Sequence, residues 1–139
     1  MFISERELRE AFWKNYNRSG RAIRYQFEAP LREGAVDLVT LERFQGLYQI
    51  NAFEFKLNDI KKAILQAKVN TSFSNKSWIV MPDEKERVIK ERYITELNTI
   101  KYVGVIVVEE GGRWKMIHRP YFSDEVTINQ KLLEFLVGI

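Results

Sequence analysis

Cysteine is absent from the chain and histidine occurs once, which removes whole classes of chemistry before any motif is considered. Without thiols there is no disulfide framework, no thiolate nucleophile and no thiolate-held metal. With His118 as the single imidazole, no histidine-based metal site can be assembled. A membrane span is missing too, because the longest apolar run, Val103–Val108, falls far below the roughly 20 residues a bilayer requires. The opening Met1-Phe2-Ile3-Ser4-Glu5-Arg6-Glu7 sets charge where a secretory leader needs an apolar core; with the lack of cysteine, this predicts a cytoplasmic protein. No low-complexity tract, repeat or linker interrupts the 139 residues. Residues 1–139 are therefore read as one domain, long enough to bury most of its apolar surface unaided.

The chain is mildly basic, with a net charge of +3 and a pI near 9.1, a slight bias toward polyanionic partners. Ser4 with Glu7 three residues on reads as a capping box, and Leu8, Ala11, Phe12 and Tyr16 form the apolar stripe of a first helix. Ala22–Glu28, Val36–Leu41 and Leu47–Lys56 read as strands, separated by the Pro30–Gly34 turn and by Gln45-Gly46. Asn58 is placed to cap a second helix with Ile60, Ala63, Ile64 and Ala67 at helical spacing. Ser77–Met81 reads as a short buried strand, and Asp83 opens a charged helix carrying Val88, Ile89, Tyr93, Ile94 and Leu97 on one side. Tyr102–Glu109 and Arg113–Arg119 flank Gly111-Gly112 as a hairpin, and Thr127–Leu136 closes the chain as a helix. This order predicts an α/β fold with a central mixed β-sheet flanked by helices on both faces, the second helix serving as a parallel crossover.

The chemistry concentrates on two adjacent strands. Alternation sends Glu54 and Lys56 to one face while Phe53, Phe55 and Leu57 go to the other. On the Glu54 side, Tyr48, Ile50 and Ala52 come first, so an apolar face ends abruptly in charge. A hairpin turning at Gln45-Gly46 sets Asp37 directly opposite Glu54, with Cβ atoms about 5 Å apart. Facing carboxylates repel unless something positive lies between them, and the sequence offers Lys56 or a bound cation. If the first two strands pair across Arg32-Glu33, Glu28 joins the row opposite Asp37.

Gly34-Ala35-Val36-Asp37-Leu38-Val39, Phe53-Glu54-Phe55-Lys56-Leu57 and then Gln66-Ala67-Lys68-Val69-Asn70 resemble the PD-(D/E)XK nuclease superfamily, whose fold is called restriction-endonuclease-like. The resemblance covers about Ser4 to Pro120. It departs at Val36, where the name-giving form has proline, and at Asn70, where the helix element ends in an aromatic residue. It implies a Mg²⁺-dependent DNA endonuclease in which Asp37, Glu54 and the carbonyl of Phe55 hold the metal and Lys56 orients or deprotonates the attacking water. Mn²⁺, which accepts the same oxygen ligands, is expected to substitute.

Further candidates surround this core. Glu28 is a third carboxylate for a second metal or a metal-bound water, and Glu7 stands for the acidic residue that family members often add from the first helix. The resemblance brings Gln66, with Lys62, toward the phosphate or a catalytic water. Arg18, Arg21 and Arg24, with Lys61, Lys62, Lys68 and Lys76, are the candidates for a nucleic-acid-binding groove. Double-strand cleavage by one minimal domain needs two copies, so a homodimer is compatible with the reading, and RNA stays open beside DNA as substrate. The alternative is a non-catalytic DNA-binding or protein-interaction module that keeps the fold. Another hydrolase using the two carboxylates as acid and base fits less well, because Lys56 would hold both ionised.

Overall fold

A computed structural model describes residues 1–138. Helix α1 (Glu5–Tyr16) begins at Ser4, whose hydroxyl accepts from the Glu7 amide at 3.0 Å, a side-chain cap for an otherwise unpaired donor. Strands β1 (Ala22–Ala29), β2 (Val36–Phe44) and β3 (Leu47–Phe55) follow as an antiparallel meander. Helix α2 (Ile60–Asn70) leads to β4 (Lys76–Pro82), a 3-10 turn at Asp83–Lys85, α3 (Glu86–Arg92) and α4 (Ile94–Asn98). The hairpin β5 (Val103–Val108) and β6 (Trp114–His118) and the helix α5 (Gln130–Val137) complete the chain. The strands form one mixed sheet in the order β1-β2-β3-β4-β5-β6, parallel at β3/β4 and β4/β5 and antiparallel elsewhere.

Alternation along the central strands decides which helix covers which face. Trp78 and Val80 of β4, with Ile106 and Val108 of β5, pack with Leu8 and Phe12 of α1. The intervening Ile79, Met81, Val105 and Val107 pack with Ile60, Ala63 and Ile64 of α2 and with Ile89 and Leu97 beyond. Helix α5 closes the α2 side over the meander, setting Leu132 and Phe135 against Val39, Ile50 and Ala52. Both faces of β3 and β4 are therefore buried, as expected of strands beside a parallel crossover.

Three helix boundaries depart from the sequence reading, the first and the last of them because of a specific capping contact. Asp59 rather than Asn58 caps α2, since its carboxylate accepts from the Lys62 amide at 3.1 Å. The charged helix expected from Asp83 onward is broken into the 3-10 turn, α3 and α4, with Tyr93 leaving helical geometry at φ −120°. The last helix starts three residues later than Thr127, because Asn129 caps it by accepting from the Leu132 amide at 2.8 Å. Among the described residues no helix is long and apolar enough to cross a membrane.

Candidate active site

The β2/β3 hairpin fixes the site. Gln45 and Gly46 both take positive φ, 52° and 81°, the signature of a two-residue primed turn whose twist matches that of the strands. The resulting register pairs Phe44 with Leu47 and Leu38 with Phe53, and one further step sets Asp37 opposite Glu54. Asp37 Oδ2 accepts from the Phe55 amide at 2.8 Å, which ties this carboxylate to the end of β3. Phe53 and Phe55 are buried on the α1 side with Leu57 packed against them, whereas Glu54 reaches α2 on the other.

Glu54 is fully buried. Its Oε2 accepts from Arg32 Nη2 at 2.7 Å and from Asn70 Nδ2 at 2.8 Å, and Arg32 Nε donates to Asn70 Oδ1 at 2.9 Å. Its Oε1 has no partner, a costly state for a buried oxygen. Burial, then the nearby Asp37 charge, pushes the Glu54 carboxyl up from its ordinary 4.5 to about 7, against the downward pull of Asn70 and Arg32. This carboxyl consequently changes charge near neutrality.

The cation that answers the facing carboxylates is Arg32, not Lys56. Lys56 is buried, and its ammonium lies 3.8 Å from Glu5 Oε1 on α1; no ion pair among the described residues joins it to Asp37 or Glu54. The reason is positional: β3 ends at Phe55, so strand alternation no longer governs where the Lys56 side chain goes. Arg32, in the turn between β1 and β2, is long enough to fold back over the sheet end.

The outer candidates are scattered. Glu28 sits opposite Asp37 by count, since Phe27 pairs with Leu38 and Ala29 with Val36. Its backbone, however, takes a left-handed φ of 50°, and its largely exposed carboxylate pairs with Arg9 at 3.2 Å. Glu28, Asp37, Phe55 and Glu5 line a cavity of about 290 Å³ at this end of the sheet. The acidic residue that α1 brings there is thus Glu5, while Glu7 supplies its amide to the Ser4 cap. Among the described residues no three His, Cys, Asp or Glu side chains converge as a ready-made metal cluster.

Gln66 is half-buried one helical turn before Asn70, and its Oε1 is a second buried oxygen without a partner. Lys61, Lys62 and Lys68 are exposed on α2. Arg18 and Arg21 follow α1, on the opposite face of the sheet, so the five do not line a single groove. Arg21 is instead stacked over Tyr16 and Trp114 at 4.6 and 5.2 Å.

Sequence reasoning missed Arg32, Asn70 and Glu5. The available signals were a cation in the turn linking the Glu28 and Asp37 strands, and an amide at the place where the helix element departs from the family pattern. No family model, curated protein or solved structure matches this chain.

Proposed function

We propose that the chain is a Mg²⁺-dependent DNA endonuclease of the PD-(D/E)XK type, hydrolysing phosphodiesters. The observation that carries this reading is Asp37, held on the Phe55 amide one register step beyond the Leu38–Phe53 pair and so opposite Glu54, with Glu54 Oε1 buried and unpartnered. Two hard carboxylate donors and an orphaned oxygen fit Mg²⁺, which takes oxygen ligands and keeps several waters. Asp37, Glu54 and the Phe55 carbonyl would hold it, and Mn²⁺ would substitute. A cation held by these residues would supply Lewis-acid chemistry toward the phosphodiester and the attacking water.

The chain's own residues prepare that chemistry. Arg32 and Asn70 hold Glu54 by one oxygen and leave the other open. The Phe55 amide orients Asp37. Lys56, held in a buried position beside Glu5, would accept or direct the proton of the attacking water. Gln66, with its open oxygen, would position a water through that oxygen and donate to phosphate through its amide nitrogen.

A second reading has its own support. Glu54 is already ion-paired to Arg32 and Lys56 to Glu5, and such a network is equally suited to a DNA-binding module that keeps the fold without cutting. Purified protein incubated with supercoiled, single-stranded and branched DNA, and with RNA, in Mg²⁺, Mn²⁺ or EDTA separates the two. Cation-dependent cleavage that disappears in Asp37→Ala and Glu54→Ala supports the nuclease. Absence of cleavage with both cations, together with DNA binding that weakens steeply with salt, assigns the binding module. Linearisation of plasmid without prior nicking would show that two copies act together.

A further inference from the structure

Past the C-terminus of α1 the sheet is not covered by helix, and a cavity of about 390 Å³ opens there, within the range that takes small-molecule ligands. It lies on the α1 face, whereas Glu54 faces α2, and the sheet separates the two. Gln49, Asn51 and Trp78 belong to its floor, Trp114, Tyr121 and Phe122 to its sides. Gly104 makes this shape possible: a Cβ there would stand 2.8 Å from the Trp78 ring and 2.5 Å from Pro120.

Two buried polar groups at the floor lack partners. Trp78 Nε1–H donates to Asn51 Oδ1 at 2.9 Å. Because an indole N–H can only donate, the Asn51 amide is fixed with its nitrogen as a donor, and that nitrogen has no acceptor. Gln49 Oε1 is a buried acceptor without a donor. Asn51 is 2 % and Gln49 8 % exposed, so bulk water does not satisfy them freely.

The charge around the cavity is also unbalanced. Arg21, Lys76 and Arg119 line it against one carboxylate, Glu42. Glu42 is satisfied by neutral donors, the Tyr16 hydroxyl at 2.7 Å and the Thr40 hydroxyl at 2.6 Å. None of the ion pairs among the described residues engages the three cations.

We propose that this cavity binds a nucleotide. Its base lies against the Trp78 and Trp114 rings, a donor–acceptor edge of the base meets Asn51 Nδ2–H and Gln49 Oε1, and its phosphate meets Arg119, Lys76 and Arg21. Every nucleobase has a flat aromatic face and an edge with adjacent donor and acceptor, and aromatic side chains stack on that face. The cations supply the anion site. The nucleotide can be free or an unpaired unit of a strand, since the recognised chemistry is the same. This assignment does not rest on the nuclease reading, because neither Asp37 nor Glu54 takes part.

The test uses the full chain in EDTA, which silences any metal-dependent site. Each nucleoside 5′-monophosphate, 5′-phosphorylated single strands of four nucleotides, a blunt duplex and 2-naphthoate are titrated against tryptophan fluorescence and calorimetry. Saturable quenching by a mononucleotide or a single strand is expected, with affinity at least ten-fold weaker in Asn51→Leu and in Arg119→Glu. Arg119 is exposed, so its variant keeps the test valid should Asn51→Leu misfold. Similar affinities for mononucleotide and strand indicate a free nucleotide, and a strong strand preference indicates an unpaired unit of nucleic acid; either supports the proposal. It is overturned by absence of saturable binding up to millimolar nucleotide, by affinities unchanged in the folded variants, or by equal binding of 2-naphthoate, which carries ring and anion but no base edge.

Discussion

Replacing Glu54 with Gln isolates what it costs this fold to keep a carboxylate at the end of β3. Glutamine has the same shape and retains an oxygen to accept from Arg32 and Asn70, but it does not ionise. Below pH 4.5 the wild-type side chain is protonated in folded and unfolded chains alike, so the two proteins should be of similar stability. Between pH 4.5 and about 7 the unfolded chain releases its proton while the folded one keeps it. The native state then binds more protons, and wild-type stability falls as pH rises. Above pH 7 the carboxylate is ionised in both states and the full penalty stands. A displacement from 4.5 to about 7 corresponds to roughly 3 kcal/mol, and for a domain of this size to a melting-temperature difference on the order of 10 °C.

Urea unfolding of both proteins, followed by circular dichroism in EDTA at pH 5, 6, 7 and 8, reads this directly. Glu54→Gln should match wild type within about 1 kcal/mol at pH 5 and exceed it by about 3 kcal/mol at pH 8. Adding Mg²⁺ at pH 8 should narrow the gap by stabilising wild type alone. A gap that does not change with pH, or a variant less stable than wild type at pH 8, would refute the account of a desolvated carboxylate raised by burial and by Asp37.

Asp37→Ala should abolish the rise in melting temperature caused by Mg²⁺ or Mn²⁺, and an unchanged metal response measured by scanning fluorimetry would remove Asp37 from the proposed ligand set. Lys56→Ala should keep that thermal response yet lose cleavage by about 100-fold or more; loss of both together would make Lys56 a structural residue. Arg32→Met removes a hydrogen bond and a charge that pull the Glu54 carboxyl down, so the acidic limb of the cleavage profile should move to higher pH, read from initial rates between pH 6 and 9. Gln45→Asn, at a left-handed position of the β2/β3 turn, should stabilise by about 0.5 kcal/mol, seen as a higher urea midpoint with unchanged slope.

The meander and its register were legible because short-range chemistry determines them. Gln45-Gly46 is a two-residue connection between apolar runs, and such a connection permits one register. Once Phe44 faces Leu47, the position of Asp37 opposite Glu54 follows by counting. The α2 crossover was legible for a related reason: an eleven-residue amphipathic helix between two apolar strands has few other ways to bury its stripe. Helix ends were less legible. Asn58 and Asp59 are both good caps by type, and only the three-dimensional reach of the Asp59 side chain to the Lys62 amide distinguishes them. The break at Tyr93 carries no glycine or proline to announce it, and the structure offers no local cause for it.

The charges at the site were legible only in part, because alternation assigns faces and says little about strand ends. Asp37 and Glu54 lie inside or beside paired strands, and their relation follows from pairing. Lys56 lies one residue past β3, where backbone pairing continues, its amide donating to the Val80 carbonyl at 3.1 Å, but its flexible side chain answers to the nearest carboxylate, Glu5. The nearest cation to Glu54 comes from a turn, and a turn residue's reach is set by the fold of its loop rather than by any period in the sequence. The same reasoning explains Asn70. Placed where the family pattern has an aromatic ring, it looks like a loss when read as a motif, yet its amide bridges Arg32 and Glu54. That bridge makes Asn70 the sharpest discriminator of the two readings of this site. If the network serves only to seal a buried carboxylate, Asn70→Leu should destabilise the fold by about 1–3 kcal/mol, with no effect of Mg²⁺ on the difference. If it holds Glu54 for a cation, the same variant should also weaken the thermal response to Mg²⁺, measured against Asp37→Ala as the zero, while Asn70→Asp, which keeps the shape but adds charge, should bind Mn²⁺ no better than Asn70→Leu only if position 70 lies out of the cation's reach.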